Sequence, residues 1–274
     1  MITSMDNPRM KHIRKLNKKA RTRRQEGLFV AEGERILSET PVELLRELYV
    51  SESYEKGAAI NAAHALMQEK LAAVFEQARK REILQVVSDS VFAEICDTDH
   101  PQGVLAVIEQ PVYTLSDLLK DTPLLVVLED IQDPGNLGTI FRTAEGAGVT
   151  GVIMSRGTVD LFSPKVVRST MGSIYRMPFV IAEDLETMLA DIREQGIRFY
   201  AAHLGGEKYH DGYDYSGPCG FLIGNEGNGL SSGITAMADD LLRIPMGGKL
   251  ESLNAAMAAG ILMYEANRQR RKDS

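Results

Sequence analysis

Three turns in the second half of the chain carry side chains whose types could do chemistry. Each turn adjoins an apolar run that predicts a strand, and the carboxyl ends of parallel strands meet at one edge of a sheet, where ligands bind. The candidates are Asn136 and Arg142 in DPGNLGTIFRTAEGAG, Glu226 in LIGNEGNGLS, and Ser252 and Asn254 in IPMGGKLESLNAAMAAG. They supply a fixed cation, a carboxylate and small hydrogen-bonding groups, without a paired acid and base. Such a set suits the positioning of an electrophile against a poor nucleophile better than hydrolysis.

Other chemistries fit the sequence less well. The glycines of the middle turn, Gly224, Gly227 and Gly229, are spaced G-x-x-G-x-G, unlike the G-x-G-x-x-G of dinucleotide-binding loops. The histidines are scattered without the spacing of a zinc site, and no G-x-S-x-G elbow is present. The sequence therefore predicts no metal centre. Backbone groups exposed by the glycines could still bind a flat ligand such as adenine, although from this loop alone an ordinary tight turn is the simpler reading.

The composition is typical of a globular protein. The chain has 274 residues, 44% of them apolar and 25% charged, which allows two domains or one large one. No apolar run approaches the roughly 18 residues of a membrane helix, and the N-terminus lacks the apolar core of a signal peptide. Cys96 and Cys219 are far apart without a CxxC motif, which favours reduced thiols. These features predict a cytoplasmic protein with no membrane partner.

Charge is distributed unevenly along the chain. The net charge is −7, yet residues 1–24 hold nine Lys and Arg against the single acid Asp6, so the remaining residues carry −15. The basic residues are Arg9, Lys11, Arg14, Lys15, Lys18, Lys19, Arg21, Arg23 and Arg24. This asymmetry indicates a basic arm that meets a polyanion, RNA or DNA. The alternative is a solvated, charged first helix.

Alternating strands and helices predict two α/β domains. In the first half, helices are predicted at 7–24 and 58–82, and strands at 27–33, 45–53 and 103–109. In the second half, strands are predicted at 124–129, 151–155, 179–182, 198–203, 221–224 and 241–245. These strands are apolar throughout, which favours a parallel sheet covered on both faces. The domains are predicted at 1–110 and 124–274, with a linker at 111–123 between prolines.

Two predicted helices of the second half carry sequence signals, cap residues in one and a repeat of apolar residues in the other. In DLETMLADIREQG, Asp184 is a predicted N-cap and Gly196 a predicted C-cap. The last helix repeats apolar residues at Leu253, Met257, Ile261 and Tyr264.

The three turns resemble the three motifs of the SpoU (TrmH-like) family of RNA ribose 2′-O-methyltransferases. They occur in the family's order over most of the second half. The first half resembles the substrate-binding domain of many members, itself similar to small ribosomal RNA-binding proteins, through NPRMKHIRKL and FVAEGER. One departure is that Ala255, Ala256 and Met257 follow Asn254, where many members have a Val-Ser-Val-like run.

The resemblance implies a fold, a cofactor and an assembly. The fold would be an α/β-knot, a C-terminal trefoil knot with a mostly parallel sheet, preceded by a smaller α/β RNA-binding domain. S-adenosyl-L-methionine (AdoMet) would bind in the knot, mostly through main-chain atoms at Gly224, Ile244 and Leu253. A homodimer would form through the C-terminal domain beside the cofactor. Asn136, Arg142, Glu226, Ser252 and Asn254 would be the catalytic residues, and the basic N-terminal residues would bind RNA.

The function implied by the resemblance is methylation of a ribose 2′-hydroxyl, with ribosomal RNA favoured because a separate N-terminal domain could recognise a folded RNA. The alternatives are a tRNA 2′-O-methyltransferase and a non-catalytic dimeric RNA-binding protein. Arg142 is often proposed as the family's general base, but a guanidinium pKa above ~12 favours a clamp on phosphate and alkoxide. Glu129 and Asp130, before the first turn, are expected to orient the loop.

Overall fold

Two β-sheets organise the chain, one in each half. The computed structural model describes residues 1–57, 65–249 and 252–271. The chain divides into two units: the first is Met1–Val112 with Asp160–Tyr175, and the second is Tyr113–Val159 with the residues from Arg176 onward. The predicted domain boundaries stay predictions, and the first unit also takes in a short segment from the second half of the sequence.

The first half alternates helices with the strands of a four-stranded sheet. Its elements are α1 (Pro8–Lys18), α2 (Ala20–Glu26), β1 (Leu28–Glu32), α3 (Glu34–Ser38), β2 (Leu45–Ser51), α4 (Glu52–Gly57), α5 (Ala65–Lys80), β3 (Leu84–Val87), α6 (Asp89–Ile95) and β4 (Val104–Glu109). The strand order is β1-β4-β2-β3, with β4 antiparallel to both neighbours and β2 parallel to β3. The first seven residues of the helix predicted at 58–82 lie outside the described residues.

The basic segment forms two helices rather than one. Asn7 caps α1 by accepting a hydrogen bond from the Arg9 N–H, and Pro8 occupies the first turn, where a missing N–H costs nothing. Met10, Ile13 and Leu16 line the buried side of α1, in one core with residues of the sheet. The helix breaks at Lys19, whose backbone is extended.

Arg23 differs from the other eight cations of this segment. It is only 4% exposed, and its Nε donates to Asp160 Oδ2 at 2.8 Å while Nη1 donates to the Asn17 carbonyl at 3.0 Å. The other eight side chains are exposed. A buried guanidinium requires such partners, and all of these lie in the first unit. Arg23 is thus a structural residue, and its geometry does not support the phosphate contact predicted for it.

The second half contributes the larger sheet. Its elements are α7 (Leu115–Leu118), β5 (Leu124–Leu128), α8 (Pro134–Ala147), β6 (Gly151–Ser155), α9 (Pro164–Thr170), β7 (Phe179–Ala182), α10 (Leu185–Glu194), β8 (Arg198–Ala202), β9 (Lys208–Tyr209), β10 (Cys219–Ile223), α11 (Ser232–Ala236), β11 (Asp240–Arg243) and α12 (Ala255–Arg270). Two short 3₁₀ turns lie at Ser173–Tyr175 and His210–Gly212. Helix α9 and the first of these turns belong to the first unit.

The larger sheet confirms the predicted architecture. Its order is β7-β6-β5-β10-β8-β11-β9, and every pair is parallel. All five residues of β5 and of β10 are buried, as expected of strands covered on both faces. The carboxyl ends of the strands therefore share one edge. The trefoil knot remains a prediction.

Local signals predicted some element ends and missed others. Asp184 caps α10 by accepting from the Thr187 N–H at 2.9 Å, as predicted, and Gly196 follows the C-cap with φ of 83°.

The predicted linker contains the short helix α7, which begins with a capping box. Hydrogen bonds from Thr114 lower the pKa of its Asp117 carboxyl to about 2. No helix in the described ranges has both the length and the apolar character needed to cross a membrane.

The last helix packs on α8 through small residues. Its buried side consists of Ala256, Ala259, Leu262, Met263 and Ala266. Gly260 lies against Thr143 of α8, and the Asn267 amide donates to the Ala147 carbonyl at 3.1 Å. The predicted apolar stripe lies mainly on the other side, because Met257 and Tyr264 are 60% and 52% exposed.

Candidate active site

The three turns predicted to do chemistry belong to the second unit. The first lies between β5 and α8, the second follows β10, and the third leads from β11 into α12. Strands β5 and β10 are neighbours, with Leu128 opposite Ile223, so the first two turns leave the sheet side by side.

A hydrogen-bond relay joins all three turns. The Asn136 amide donates to Glu226 Oε1 at 2.9 Å, and the Asn254 amide donates to Asn136 Oδ1 at 2.9 Å. Glu226 also accepts from the main-chain N–H groups of Gln132, at 3.0 Å, and Asp133, at 3.1 Å. The structure therefore brings together one predicted residue from each motif, although they are distant in sequence.

The relay is tied to the beginnings of two helices. The Asp133 carboxylate caps α8 by accepting from the Asn136 N–H at 2.8 Å. Asn254 caps α12, since its Oδ1 accepts from the N–H groups of Ala256, at 2.9 Å, and Met257, at 3.2 Å. Asn136 and Asn254 thus each use both the oxygen and the nitrogen of the side-chain amide, which fixes their orientation.

Glu226 is an ionised acceptor in this arrangement. Burial alone would raise the pKa of its carboxyl, but the hydrogen bonds from Asn136, Gln132 and Asp133 outweigh it, and the pKa is lowered. A group held in its charged form by fixed N–H donors is suited to shaping the site, and poorly suited to accepting a proton.

The second turn is a tight hairpin closed by its own backbone. Asn225 and Gly229 exchange main-chain hydrogen bonds of 3.0 and 2.9 Å, and Asn225 Oδ1 accepts from the N–H groups of Gly227 and Asn228. A Cβ added to Gly224 would lie 2.2 Å from the Gly229 carbonyl carbon. Glycine is therefore required at position 224 because the backbone at Gly229 folds back against it. Gly224→Val would distort the loop whether or not a ligand binds there.

The two carboxylates before the first turn orient the loops, as expected. Glu129 Oε2 accepts from the Ser231 N–H at 2.7 Å, which links the first turn to the second. Asp130 has a left-handed φ of 53° and accepts from the Ser155 hydroxyl at 2.6 Å. Its carbonyl accepts from the Asn225 amide at 2.7 Å.

Arg142 and Ser252 lie outside the relay. Arg142 is exposed on α8 and makes no hydrogen bond or ion pair within the described residues. Its alternative partner, Glu145, instead pairs with Arg176. Ser252 is also exposed, and the cap of α12 is Asn254 rather than Ser252. These two side chains remain available to a substrate.

The residues predicted to hold AdoMet are compatible with it. Gly224, Ile244 and Leu253 are each partly exposed, and no hydrogen bond to another described residue occupies their main-chain groups. Half-buried Ile244 and Leu253 side chains offer apolar surface to a flat ring, and the main-chain groups offer donors and acceptors. Over the same described ranges, no cluster of three or more His, Cys, Asp or Glu side chains could hold a metal ion.

Comparison with known proteins identifies the class to which this fold and site belong. Residues 123–264 match the SpoU rRNA Methylase family, and residues 7–106 match the MRM3-like substrate binding domain. The chain therefore belongs to the SpoU rRNA methylase family. The predicted resemblance of both halves is confirmed.

Particular relatives cover most of the chain. An uncharacterised tRNA/rRNA methyltransferase of Synechocystis is 33% identical over 98% of this chain and 93% of its own. The 23S rRNA (guanosine(2553)-2′-O)-methyltransferase RlmP of Bacillus subtilis is 33% identical over 65% of this chain and 70% of its own. The crystal structure of an AdoMet-bound rRNA methyltransferase from Sinorhizobium meliloti is also similar, with a TM-score of 0.83, 33% identity and coverage of 97% of both chains.

Sequence reasoning missed the contributions of Gln132, Asp133 and Ser231. Asp133 could have been recognised, because an Asp directly before Pro at the start of a helix is a typical N-cap. In their bonds to Glu226 and Glu129, Gln132 and Ser231 use main-chain N–H groups, which any residue type provides. These two contacts therefore have no sequence signal.

We predict that Glu226→Gln loosens the first turn. The amide nitrogen of Gln cannot accept hydrogen bonds, so at least one N–H donor loses its partner, and a bond to a charged acceptor contributes ~1.5–3 kcal/mol. Hydrogen exchange at the Gln132 and Asp133 amides should therefore accelerate roughly tenfold or more. Glu183→Gln is a matched control, because Glu183 pairs with Arg156 and takes no part in the relay.

The same variant has a defined pH dependence. Because the folded pKa of Glu226 lies below its ordinary value, its stabilisation is complete above the ordinary carboxyl range and is lost as the pH falls through the lowered pKa. The difference between wild type and Glu226→Gln should thus shrink below about pH 4. A difference that stays constant down to full protonation would show that the charge of Glu226 does not hold the turn.

Proposed function

We propose that this protein transfers the methyl group of AdoMet to a ribose 2′-hydroxyl of ribosomal RNA. The observation that carries the proposal is the relay of Glu226, Asn136 and Asn254, which joins all three family motifs at one sheet edge. The relatives named as 23S rRNA 2′-O-methyltransferases and the presence of a substrate-binding domain support ribosomal RNA. Action on ribosomal RNA would take place in the cytoplasm, where free Cys96 and Cys219 are expected to stay reduced.

The site would work by orientation and charge. Bound AdoMet, held at Gly224, Ile244 and Leu253, would supply an electrophilic methyl group on a sulfonium centre. Asn136 and Asn254, fixed by the relay, would keep the acceptor ribose in line with it. Arg142 would hold the adjacent phosphate and stabilise the negative charge that develops on the 2′-oxygen. The hydroxyl proton would pass to solvent water, and the positive charge of Arg142 would make that loss easier without Arg142 accepting the proton.

We predict that Arg142→Ala retains the fold and AdoMet binding but loses methyl transfer. Single-turnover transfer to ribosomal RNA should slow roughly 100-fold or more, the cost typical of removing one charge-stabilising group. Arg142→Lys should recover little, because a flexible point charge does not reproduce a planar fork. Arg193→Ala is the control, because it removes an arginine of the same unit that is already paired with Asp239. Its rate of methyl transfer should equal that of the wild type.

Three outcomes of this assay separate the rival functions. Near-wild-type turnover in Arg142→Ala would remove Arg142 from the mechanism. Transfer to tRNA but not to ribosomal RNA by the wild type would favour the tRNA enzyme. Failure of the wild type to bind AdoMet by calorimetry would leave a non-catalytic RNA-binding protein.

The first unit would bind RNA through its exposed basic helices. Eight of the nine predicted cations point to solvent, and Arg23 is excluded by its burial. Among the Lys and Arg side chains of α1, only Lys11 is paired with an acid, Asp6, and both partners are exposed. The remaining charge is available for counterion release on a phosphate backbone.

We predict that replacing Arg14, Lys15 and Lys18 together by Gln weakens RNA binding and flattens its salt dependence. The logarithm of the RNA association constant falls linearly with the logarithm of the salt concentration, and the magnitude of that slope should decrease by about 2 if all three side chains contact phosphates. The matched control replaces Lys56, Lys80 and Lys120, which are similarly exposed but paired with nearby acids. Equal affinity of the helix variant and wild type at the same salt would leave α1 a solvated helix.

A homodimer through the C-terminal unit would cover the exposed side of α12. Met257 and Tyr264 are large apolar residues left more than half exposed on this helix, two turns apart. The hydroxyl of Tyr264 lies next to Gly146, so the surface continues onto α8, which also carries Arg142. A dimer would therefore form beside the candidate active site.

We predict a dimeric mass by light scattering at micromolar concentration, and a monomeric mass for the double variant Met257→Glu, Tyr264→Glu. Two buried charges facing their symmetry mates would oppose association. Ile181→Glu, at an exposed apolar residue of β7 in the same unit, should remain dimeric. A monomeric wild type would contradict the proposal.

A further inference from the structure

Six cations of the second unit are paired with carboxylates of the same unit. The pairs are Lys120–Asp117, Arg156–Glu183, Arg176–Glu145, Arg193–Asp239, Arg198–Asp240 and Arg268–Glu265. Within the described part of the chain, Lys208 and Arg243 have no carboxylate partner, and each lies over an aromatic ring instead. Two unneutralised cations on adjacent strands of an acidic chain require an explanation.

Arg243 and Tyr209 form an exposed pair at the sheet margin. Strand β9 lies parallel to β11, with Tyr209 opposite Arg243, and the Arg243 guanidinium carbon lies 5.4 Å from the centre of the Tyr209 ring. Tyr209 is 51% exposed. Beside it, Lys208 Nζ lies 5.5 Å from the centre of the Tyr213 ring.

The backbone holds this pair in place. A Cβ added to Gly206 would lie 2.7 Å from the Leu242 carbonyl carbon, so the loop before β9 lies directly on β11. The His203 N–H donates to the Leu242 carbonyl at 2.9 Å, and the Tyr213 hydroxyl donates to the Leu241 carbonyl at 3.0 Å. An exposed aromatic ring on a backbone held in this way loses less entropy when a second ring stacks on it than a ring on a mobile loop.

The pair is also close to the candidate cofactor site along the chain. Arg243 ends β11 and directly precedes Ile244, at the sheet edge where the motif loops emerge. A group stacked on Tyr209 would thus lie on the flank of the third motif.

We propose that Tyr209, backed by Arg243, is a stacking platform for an unpaired nucleobase of the substrate RNA. The proposal rests on the proposed function. Aromatic rings next to arginine bind bases of single-stranded RNA by stacking, whatever the sequence. Exposed Glu207 and Asp211 lie two residues before and two residues after Tyr209 in the sequence, and their charge disfavours a run of phosphates along this segment and favours a base with its backbone turned toward Lys208. The platform would position a splayed nucleotide near the methyl acceptor.

The test compares Tyr209→Leu with Tyr209→Phe in steady-state methyl transfer to ribosomal RNA. Loss of the ring should raise KM for RNA roughly tenfold, while Phe should stay close to wild type, because stacking requires the ring and not the hydroxyl. Affinity for AdoMet should be unchanged in both. Arg243→Gln should raise KM in the same direction by a smaller factor.

Arg198→Gln is the matched control. Arg198 also lies over a tyrosine, with its guanidinium carbon 5.7 Å from the centre of the Tyr200 ring. It is the first residue of β8, at the amino ends of the strands and away from the motif loops, and it is paired with Asp240. The KM of the Arg198→Gln variant for RNA should equal that of the wild type. An unchanged KM in Tyr209→Leu, with an active wild type, would overturn the platform and leave the proposed function intact. An inactive wild type would instead overturn the proposed function. Equal loss in Tyr209→Leu and Tyr209→Phe would show that the hydroxyl, not stacking, matters.

Discussion

The carboxylate of Glu226 is the constraint on which the site depends. Although Glu226 is exposed, its carboxylate accepts hydrogen bonds from two main-chain N–H groups and one amide, and bonds to a charged acceptor are the stronger ones. These bonds hold the turn after β5 against the turn after β10, and Asn136 extends the connection to Asn254 at the start of α12. One carboxylate thereby connects three segments that the sequence keeps far apart.

The parallel sheet makes this arrangement possible. Because β5 and β10 are parallel neighbours with fully buried side chains, their carboxyl ends cannot slide relative to each other without exposing apolar surface. The packed strands β5 and β10 thus fix where the first two turns leave the sheet, and short-range hydrogen bonds are enough to hold the polar turns together. Arg142 and Tyr209, by contrast, project from this frame toward solvent, where a large substrate can reach them.

Much of this organisation could be predicted from the sequence. Apolar strands predicted the parallel sheet, and the turn residues after them singled out Asn136, Glu226 and Asn254, which the structure brings together. Burial of charge and the direction of helix faces could not be predicted. Arg23 follows Leu16 by seven residues, the spacing of one helix face, but the break at Lys19 interrupts that periodicity. In α12, the buried side is formed largely by alanines, so the larger apolar residues Met257 and Tyr264 do not mark the side that packs on the core.

The link between Asn136 and Asn254 has a consequence for biosynthesis. The two residues are 118 positions apart, and Asn254 begins a helix whose Arg270 side chain donates to the carbonyls of Thr122 and Pro123, where the unit's first strand begins. Contacts of such long sequence separation form late in folding. A nascent chain whose α12 segment has not yet left the ribosome has neither the closed relay nor the anchored helix. The relay can therefore close only after all three motif segments have been synthesised, so the first two turns exist for a time without the contact that joins them to the third.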